Sequence, residues 1–204
     1  MRTGRLRDGL VLAALVVYAM PFFWQALTSA RPDAELLPLS HLLPSRLTLV
    51  HYDAVLRQSL MPRALLNSLG IALSSTLLAV GLGALAGFIR EIPRALEEAA
   101  AVDGAGRLAA LRFVVLPLVA PGMASAALLA FLFSWNEFLF AYSFTATEAS
   151  RTVPVALALF PGVFEVPWGD IAAASLLASL PPILIVVAFQ RYLVRGLLAG
   201  ALRE

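Results

Sequence analysis

Four stretches of this chain run without a single charged side chain for about the thickness of a lipid bilayer. They are Leu10–Leu27, Leu65–Ile89, Phe113–Trp135 and Ile171–Gln190. A helix rises 1.5 Å per residue, so about 20 apolar residues cross the hydrocarbon layer. Backbone N–H and C=O groups find no water there, which leaves helices and closed barrels as the only spanning structures. Runs of this length predict helices. The expected fold is all-α: a polytopic membrane protein with about four transmembrane helices, forming a single transmembrane domain over 1–204. Composition agrees, since 60% of the 204 residues are hydrophobic and 14% charged, against about 45–50% and about 25% in soluble domains. Arg2, Arg5 and Arg7 ahead of the first run also resemble the basic lead of a secretory signal. However, the segment from Tyr18 to Trp24 is bulky where a cleavage site needs small residues, so a retained helix is expected.

Arginine placement orients these spans, because basic residues accumulate on the cytoplasmic side. An inside N-terminus puts Arg2, Arg5, Arg7, Arg90, Arg94, Arg107, Arg112, Arg191, Arg195 and Arg203 in the cytoplasm. It leaves Arg31, Arg46, Arg57, Arg63 and Arg151 outside. Both termini and the segment between the second and third spans are then cytoplasmic.

Several chemistries are excluded by what the chain lacks. It has no cysteine, which rules out disulfides, thiolate metal sites and cysteine nucleophiles. Two histidines, His41 and His51, cannot build a His-rich metal site. All basic residues are arginine, so neither a phosphate-binding GxxxxGK[ST] loop nor a Schiff-base lysine exists. An intramembrane enzyme would need paired acids or a Ser/Lys dyad within the spans, and these are absent. No catalytic residue, metal ligand or bound cofactor is therefore expected. A net charge of +2 without an arginine stripe gives no case for nucleic acid. A proton-coupled carrier would need an intramembrane carboxylate, for which Glu137 is the only near candidate.

The polar segment between the second and third spans, about 91–112, carries the most specific pattern. Pro93 suits the first turn of a helix, where its missing N–H costs nothing. Glu97 and Glu98 follow where the helix dipole favours carboxylates. Ala95, Ala99 and Val102 fall at i, i+4 and i+7, a face of small side chains able to enter a partner's groove. Asp103-Gly104 reads as a turn, and a second short helix over Arg107–Arg112 leads to Leu116-Pro117 at the start of the next span. Without its spacing the segment would read as a solvated loop of good helix formers.

The spacing changes that reading. Glu98-Ala99-Ala100, then three residues, Gly104, nine residues, Val114, one residue and Leu116-Pro117 resembles the EAA loop of ABC importer permease subunits. Other stretches resemble the smaller permease subunit of the maltose type. They are Leu47-Thr48-Leu49 with Tyr52 and Val55-Leu56 (His51 standing where the pattern has Asn), Asn67-Ser68-Leu69 with Ser75-Thr76, Trp135-Asn136-Glu137-Phe138, Arg151-Thr152-Val153-Pro154, and Gln190-Arg191-Tyr192 with Arg195-Gly196 and Gly200-Ala201. The resemblance implies a permease subunit forming part of a solute pathway, with a sugar as the expected solute. It implies a cytoplasmic coupling-helix loop in which Glu97, Glu98, Ala99, Ala100, Asp103 and Gly104 meet an ATPase. The implied partners are a cytoplasmic ABC ATPase dimer that binds the ATP, a second permease subunit, an extracytoplasmic solute-binding protein and membrane lipid. The implied location is the cytoplasmic membrane of a bacterium or archaeon. The family has six transmembrane helices, with two between the Asn-Ser-Leu helix and the EAA loop. Here Gly87–Pro93 passes directly from one to the other, as though the third and fourth helices were cut out. Loss of an even number of spans keeps the loop cytoplasmic. It also opens the alternative of a truncated, transport-incompetent or regulatory relative.

Two further expectations concern polar and small residues at the spans. Asn136 and Glu137 lie at the outer end of the third span among Trp135, Phe138, Phe140 and Tyr142. They are read either as part of the solute path or as members of an interfacial aromatic belt. The segment Thr147–Asp170 is either a contact for the binding protein or a plain loop. Gly83-xxx-Gly87 offers a face for close helix approach, and Pro117, Pro121, Pro181 and Pro182 predict kinked spans packed on neighbours.

Overall fold

The computed structural model of the chain describes residues 2–37, 41–84, 87, 99–100, 102, 104, 106–160 and 166–201. Eight helices carry the architecture of the described residues: α1 (Arg2–Ser29), α2 (Val50–Arg57), α3 (Met61–Leu78), α4 (Arg107–Ala110), α5 (Leu116–Trp135), α6 (Leu139–Phe144), α7 (Val153–Ala158) and α8 (Trp168–Ala201). Single 3₁₀ turns occupy Asp33–Glu35 and Glu148–Ser150, and π-helical turns occupy Ala79–Ala84 and Leu111–Val115. No strand occurs among the described residues.

Four helices among the described residues are long and apolar enough to cross a membrane: Arg7–Ser29, Met61–Gly83, Leu108–Trp135 and Trp168–Tyr192. They coincide with the four charge-free runs of the sequence to within a few residues, except at two edges. The second is followed to residue 84, beyond which most of its expected end lies outside the described residues. The third begins at Leu108 rather than Phe113. The cause is that α4 runs straight through the π turn into α5, with no break at Pro117. Pro117 sits in the first turn of α5, and the wider turn just before it, where Leu116 N–H bonds to the Leu111 carbonyl, accommodates a residue that cannot donate.

Little of this apolar surface is covered by the chain itself. None of the strongest window in Arg7–Ser29 is buried, and at most 22% of any other. A helix apolar all round and left bare needs lipid or another protein around it. The glycines of the second span follow the same rule: nothing lies within 4 Å of where a Cβ would sit on Gly81, Gly83 or Gly87. The close approach expected of that face is thus not made within the described chain.

The chain divides into two compact units. The first joins Met1–Leu65 to Thr145–Ser179. Its core holds Val55, Met61, Val153, Val155 and the alanines Ala172, Ala173 and Ala174 on the first turns of α8. Small residues there let α8 lie close to its neighbours. Some polar groups buried in this unit find partners, Ser29 Oγ bonding to the Tyr52 hydroxyl at 2.8 Å and Arg31 Nη2 donating to the Leu42 carbonyl at 2.6 Å, whereas Arg31 Nε and Thr152 Oγ1 accept or donate no hydrogen bond among the described residues. Glu35 accepts from both the hydroxyl and the backbone N–H of Ser45. The hydroxyl first, and then the N–H, hold its carboxyl below the usual carboxylate range. A lowered folded value means this contribution to stability is present at neutral pH and is lost as pH falls through that value.

The second unit joins Leu66–Phe144 to Leu180–Glu204. Val119, Leu128, Phe131 and Trp135 are the buried residues of α5, and Val115 in the π turn before it is buried as well. Hydroxyls join its helices. Ser75 Oγ donates to Ser134 Oγ at 2.7 Å, and Ser125 Oγ donates to the Tyr192 carbonyl at 2.9 Å and to Pro121 O at 3.1 Å. Such bonds occupy carbonyls near the helix prolines and link helices where lipid supplies no hydrophobic drive.

Candidate functional site: the inter-span loop and the turn after α5

The loop before α5 is seen in part. Glu97, Glu98 and Asp103 lie outside the described residues. Ala99 and Val102 are helical and exposed, Val102 at 88%, while Ala100 is buried at 7%. Three residues apart on a helix, Ala99 and Val102 share a face. That face points away from the protein and carries one methyl and one isopropyl group. Gly104 then sits in a turn at φ 82°, a left-handed conformation that side chains disfavour. From Arg107 the chain is helical again and enters the third span. The described part is therefore a small-sided helical piece, a glycine turn and a helix continuous with the span. Mechanically this can carry a push on Ala99 into α5.

The turn after α5 is held by Glu137. Its Oε1 accepts the Phe140 N–H and its Oε2 accepts the Ala141 N–H, each at 2.8 Å. The carboxylate thereby satisfies two of the orphan donors at the start of α6. Asn136 is exposed, and its Nδ2 donates back to the Leu132 carbonyl at 2.8 Å. Trp135 turns inward and stacks on Phe131, with centroids 5.7 Å apart. Phe138 stacks on Tyr142 at 5.6 Å and Phe140 on Phe144 at 6.5 Å, and all four are exposed.

In the first unit, Thr147–Asp170 contributes to an open hollow of about 440 Å³. Gln58, Ser59, Met61, Glu148, Arg151 and Phe160 are among its walls. Glu148 and Arg151 approach to 3.5 Å. One arrangement in this unit has no local signal in the sequence. The buried His51 ring lies 2.7 Å from Asp170 Oδ1 through Nδ1 and 2.9 Å from the Arg31 carbonyl through Nε2. A side chain on Gly169 would overlap that ring. His51 stands where the resembled pattern has Asn, and that replacement was the only hint available.

The match to known proteins covers nearly the whole chain. Residues 1–199 match the family described as binding-protein-dependent transport system inner membrane component. Among similar proteins, the trehalose/maltose transport system permease protein MalG of Thermococcus litoralis is 46% identical over 127 residues, which are 62% of this chain and 46% of that protein. The chain thus spans about half the length of that relative. The trehalose transport system permease protein SugB of Mycobacterium tuberculosis is 34% identical over 264 residues, covering 95% of this chain and 96% of SugB. An alignment of 264 positions against a chain of 204 residues leaves at least 60 positions of SugB without a counterpart. Two spans of about 20 residues each with their connections fill such a gap. Among solved structures, a bacterial ABC transporter involved in the import of the acidic polysaccharide alginate has the same fold, with a TM-score of 0.76 at 18% identity over 93% of this chain and 96% of that one. With its apolar helices and a family match from end to end, the chain belongs to the inner-membrane components of binding-protein-dependent transport systems.

Proposed function

We propose that this chain is a permease subunit of an ABC importer, that its solute is a sugar, and that it is driven by a separate ATPase dimer. The family match over residues 1–199 carries this reading, and the names of MalG and SugB support the sugar. The chain performs no chemical step. It has no GxxxxGK[ST] loop, so the ATP belongs to the partner. Glu97, Glu98, Ala99, Ala100, Asp103 and Gly104 form the coupling element. Its support is the outward face of Ala99 and Val102 followed by the turn at Gly104. A second permease subunit completes the path, which the bare surfaces of the spans would accommodate. An extracytoplasmic binding protein delivers the solute. The arginine distribution supports cytoplasmic N- and C-termini and a cytoplasmic loop. Closure of the ATPase dimer then moves the loop helix, and the continuous Arg107–Trp135 rod passes that motion into the membrane, in alternating access. Asn136 and Glu137 are assigned to the mouth of the path: Glu137 holds the turn and Asn136 presents an exposed amide.

The gap of at least 60 positions against SugB favours a second reading, a relative that assembles but does not transport. Two measurements separate the cases. In a six-helix background, Glu98→Lys or Gly104→Arg should cut sugar uptake roughly tenfold or more while the ATPase still hydrolyses; normal uptake in both variants overturns the coupling assignment. Supplying this chain in place of a full-length subunit should restore uptake, and its failure selects the non-transporting relative.

A further inference from the structure

Two hydroxyl bonds tie α5 to its neighbouring spans, and arginines on those spans fix the depth of each bond. On α8 the charge-free run ends at Arg191, so the hydrocarbon layer ends near Tyr192 beside it. Ser125 Oγ on α5 donates to the Tyr192 carbonyl at 2.9 Å, which places Ser125 at that edge. On α3 the charge-free run begins after Arg63, which marks the opposite edge. Ser75 lies twelve residues further along α3, about 18 Å in from Arg63 at 1.5 Å per residue. Its Oγ donates to Ser134 Oγ on α5 at 2.7 Å. Ser134 stands nine residues beyond Ser125, about 14 Å along the same helix. The two depths together come to about 32 Å, close to the hydrocarbon thickness of about 30 Å.

The third crossing therefore does not coincide with its charge-free run, Phe113–Trp135. With Arg112 at the inner edge, the level of Ser125 and Arg191 would fall about 20 Å inside the hydrocarbon. Arg195 follows one turn later on α8, and arginines at such depth are costly. At the edge, by contrast, the exposed Arg191 guanidinium packs over the Tyr192 ring, 4.8 Å from its centroid, a pairing suited to the headgroup level. The shift leaves exposed Phe113 and Leu118 outside the layer. It brings in Phe138, Leu139, Phe140, Tyr142 and Phe144, which are exposed as well.

We propose that the third crossing is a broken helix made of α5 from Ser125 onward, the turn at 136–138 and α6. The aromatic surface of α6 then lies among lipid acyl chains in the leaflet on the Arg63 side, the outer one in the orientation proposed above. α6 is about 9 Å long and starts near mid-depth, so it stays within that leaflet. Phe138 stacks on Tyr142 and Phe140 on Phe144, two pairs set about 200° apart around the axis. A protein partner covers one face of a helix, whereas a fluid apolar solvent covers every face. The carboxylate at this depth, Glu137, is spent on the Phe140 and Ala141 N–H groups, which is how a buried charge is tolerated. Asn136, exposed beside it, is where water reaches the break from the outer side, at the mouth assigned above.

The test uses the full chain, which has no cysteine of its own, in phosphatidylcholine liposomes. Phe140→Cys and Leu118→Cys each carry a nitroxide label. Its relaxation is compared under oxygen, which concentrates in acyl chains, and under a water-soluble nickel chelate. The Phe140→Cys label should respond to oxygen over nickel by roughly threefold or more, and the Leu118→Cys label should favour nickel. A crossing over Phe113–Trp135 would reverse both preferences. Nickel preference at Phe140 or oxygen preference at Leu118 overturns the placement. So does a Phe140 label that neither reagent reaches, because protein such as a second copy would then cover α6. Leu139→Cys, which breaks no ring stack, gives the reading if Phe140→Cys does not fold. The family match does not depend on this depth, so failure here leaves the importer reading standing.

Discussion

The carboxylate of Glu137 is spent on backbone. With both oxygens accepting N–H groups at 2.8 Å, it fixes where α5 ends and α6 begins. Hydrogen bonds to a charged group contribute about 1.5–3 kcal/mol. Glu137→Ala should therefore lower the unfolding free energy by roughly 2 kcal/mol. Glu137→Gln keeps one strong acceptor and should lose about half as much. Thermal unfolding of both variants in one detergent checks the order, and equal effects would mean the oxygens are not holding the turn. The position of Glu137 at the end of a span was readable, but its role was not. Helix caps are ordinarily signalled by Ser, Thr, Asp or Asn, and a Glu before an aromatic run gives no such cue. His51 was harder still, because its partner lies 119 residues away and no periodicity connects them.

At the level of elements, the spans were the most legible part, since an uncharged window of bilayer length is a composition signal that tertiary packing cannot override. Their edges were not. The third span starts five residues earlier than its charge-free run because Arg112 sits within a helix that continues through a π turn. The glycine turn was legible from Asp103-Gly104, and its geometry makes a graded prediction. At φ 82° Gly104 occupies the left-handed region, which Asn tolerates and β-branched residues do not. Among the described residues no atom lies within 4 Å of its missing Cβ, so the expected penalty is the conformational one. Gly104→Val should destabilise the chain by about 1–2 kcal/mol, and Gly104→Asn by less than about 1 kcal/mol. Unfolding midpoints of the two variants measure this, and equal midpoints would show that the turn relaxes freely. In a six-helix background the same order should appear in uptake, because an altered turn misdirects the helix that leaves at Arg107.

For the whole molecule, coupling to a cytoplasmic ATPase requires the loop to lie on the cytoplasmic side of the membrane. The fifteen arginines, split ten against five when the N-terminus is taken as cytoplasmic, are the basis of the proposed orientation, which an even number of spans fewer than the family's six would preserve. A chain without cysteine offers a clean check, since any single substitution supplies the only thiol. Ala99→Cys and Asn136→Cys suit the purpose, because both positions are exposed and the third span separates them. A membrane-impermeant maleimide applied to intact cells should label Asn136→Cys and leave Ala99→Cys unreacted by a margin of roughly tenfold, whereas permeabilised cells should label both. Four spans place Asn136 outside and Ala99 inside only if α1 is retained as a membrane helix and starts from the cytoplasm. Equal labelling at Ala99 in intact cells would therefore reverse the loop, remove it from any cytoplasmic ATPase and refute the coupling assignment, even though the family membership would stand.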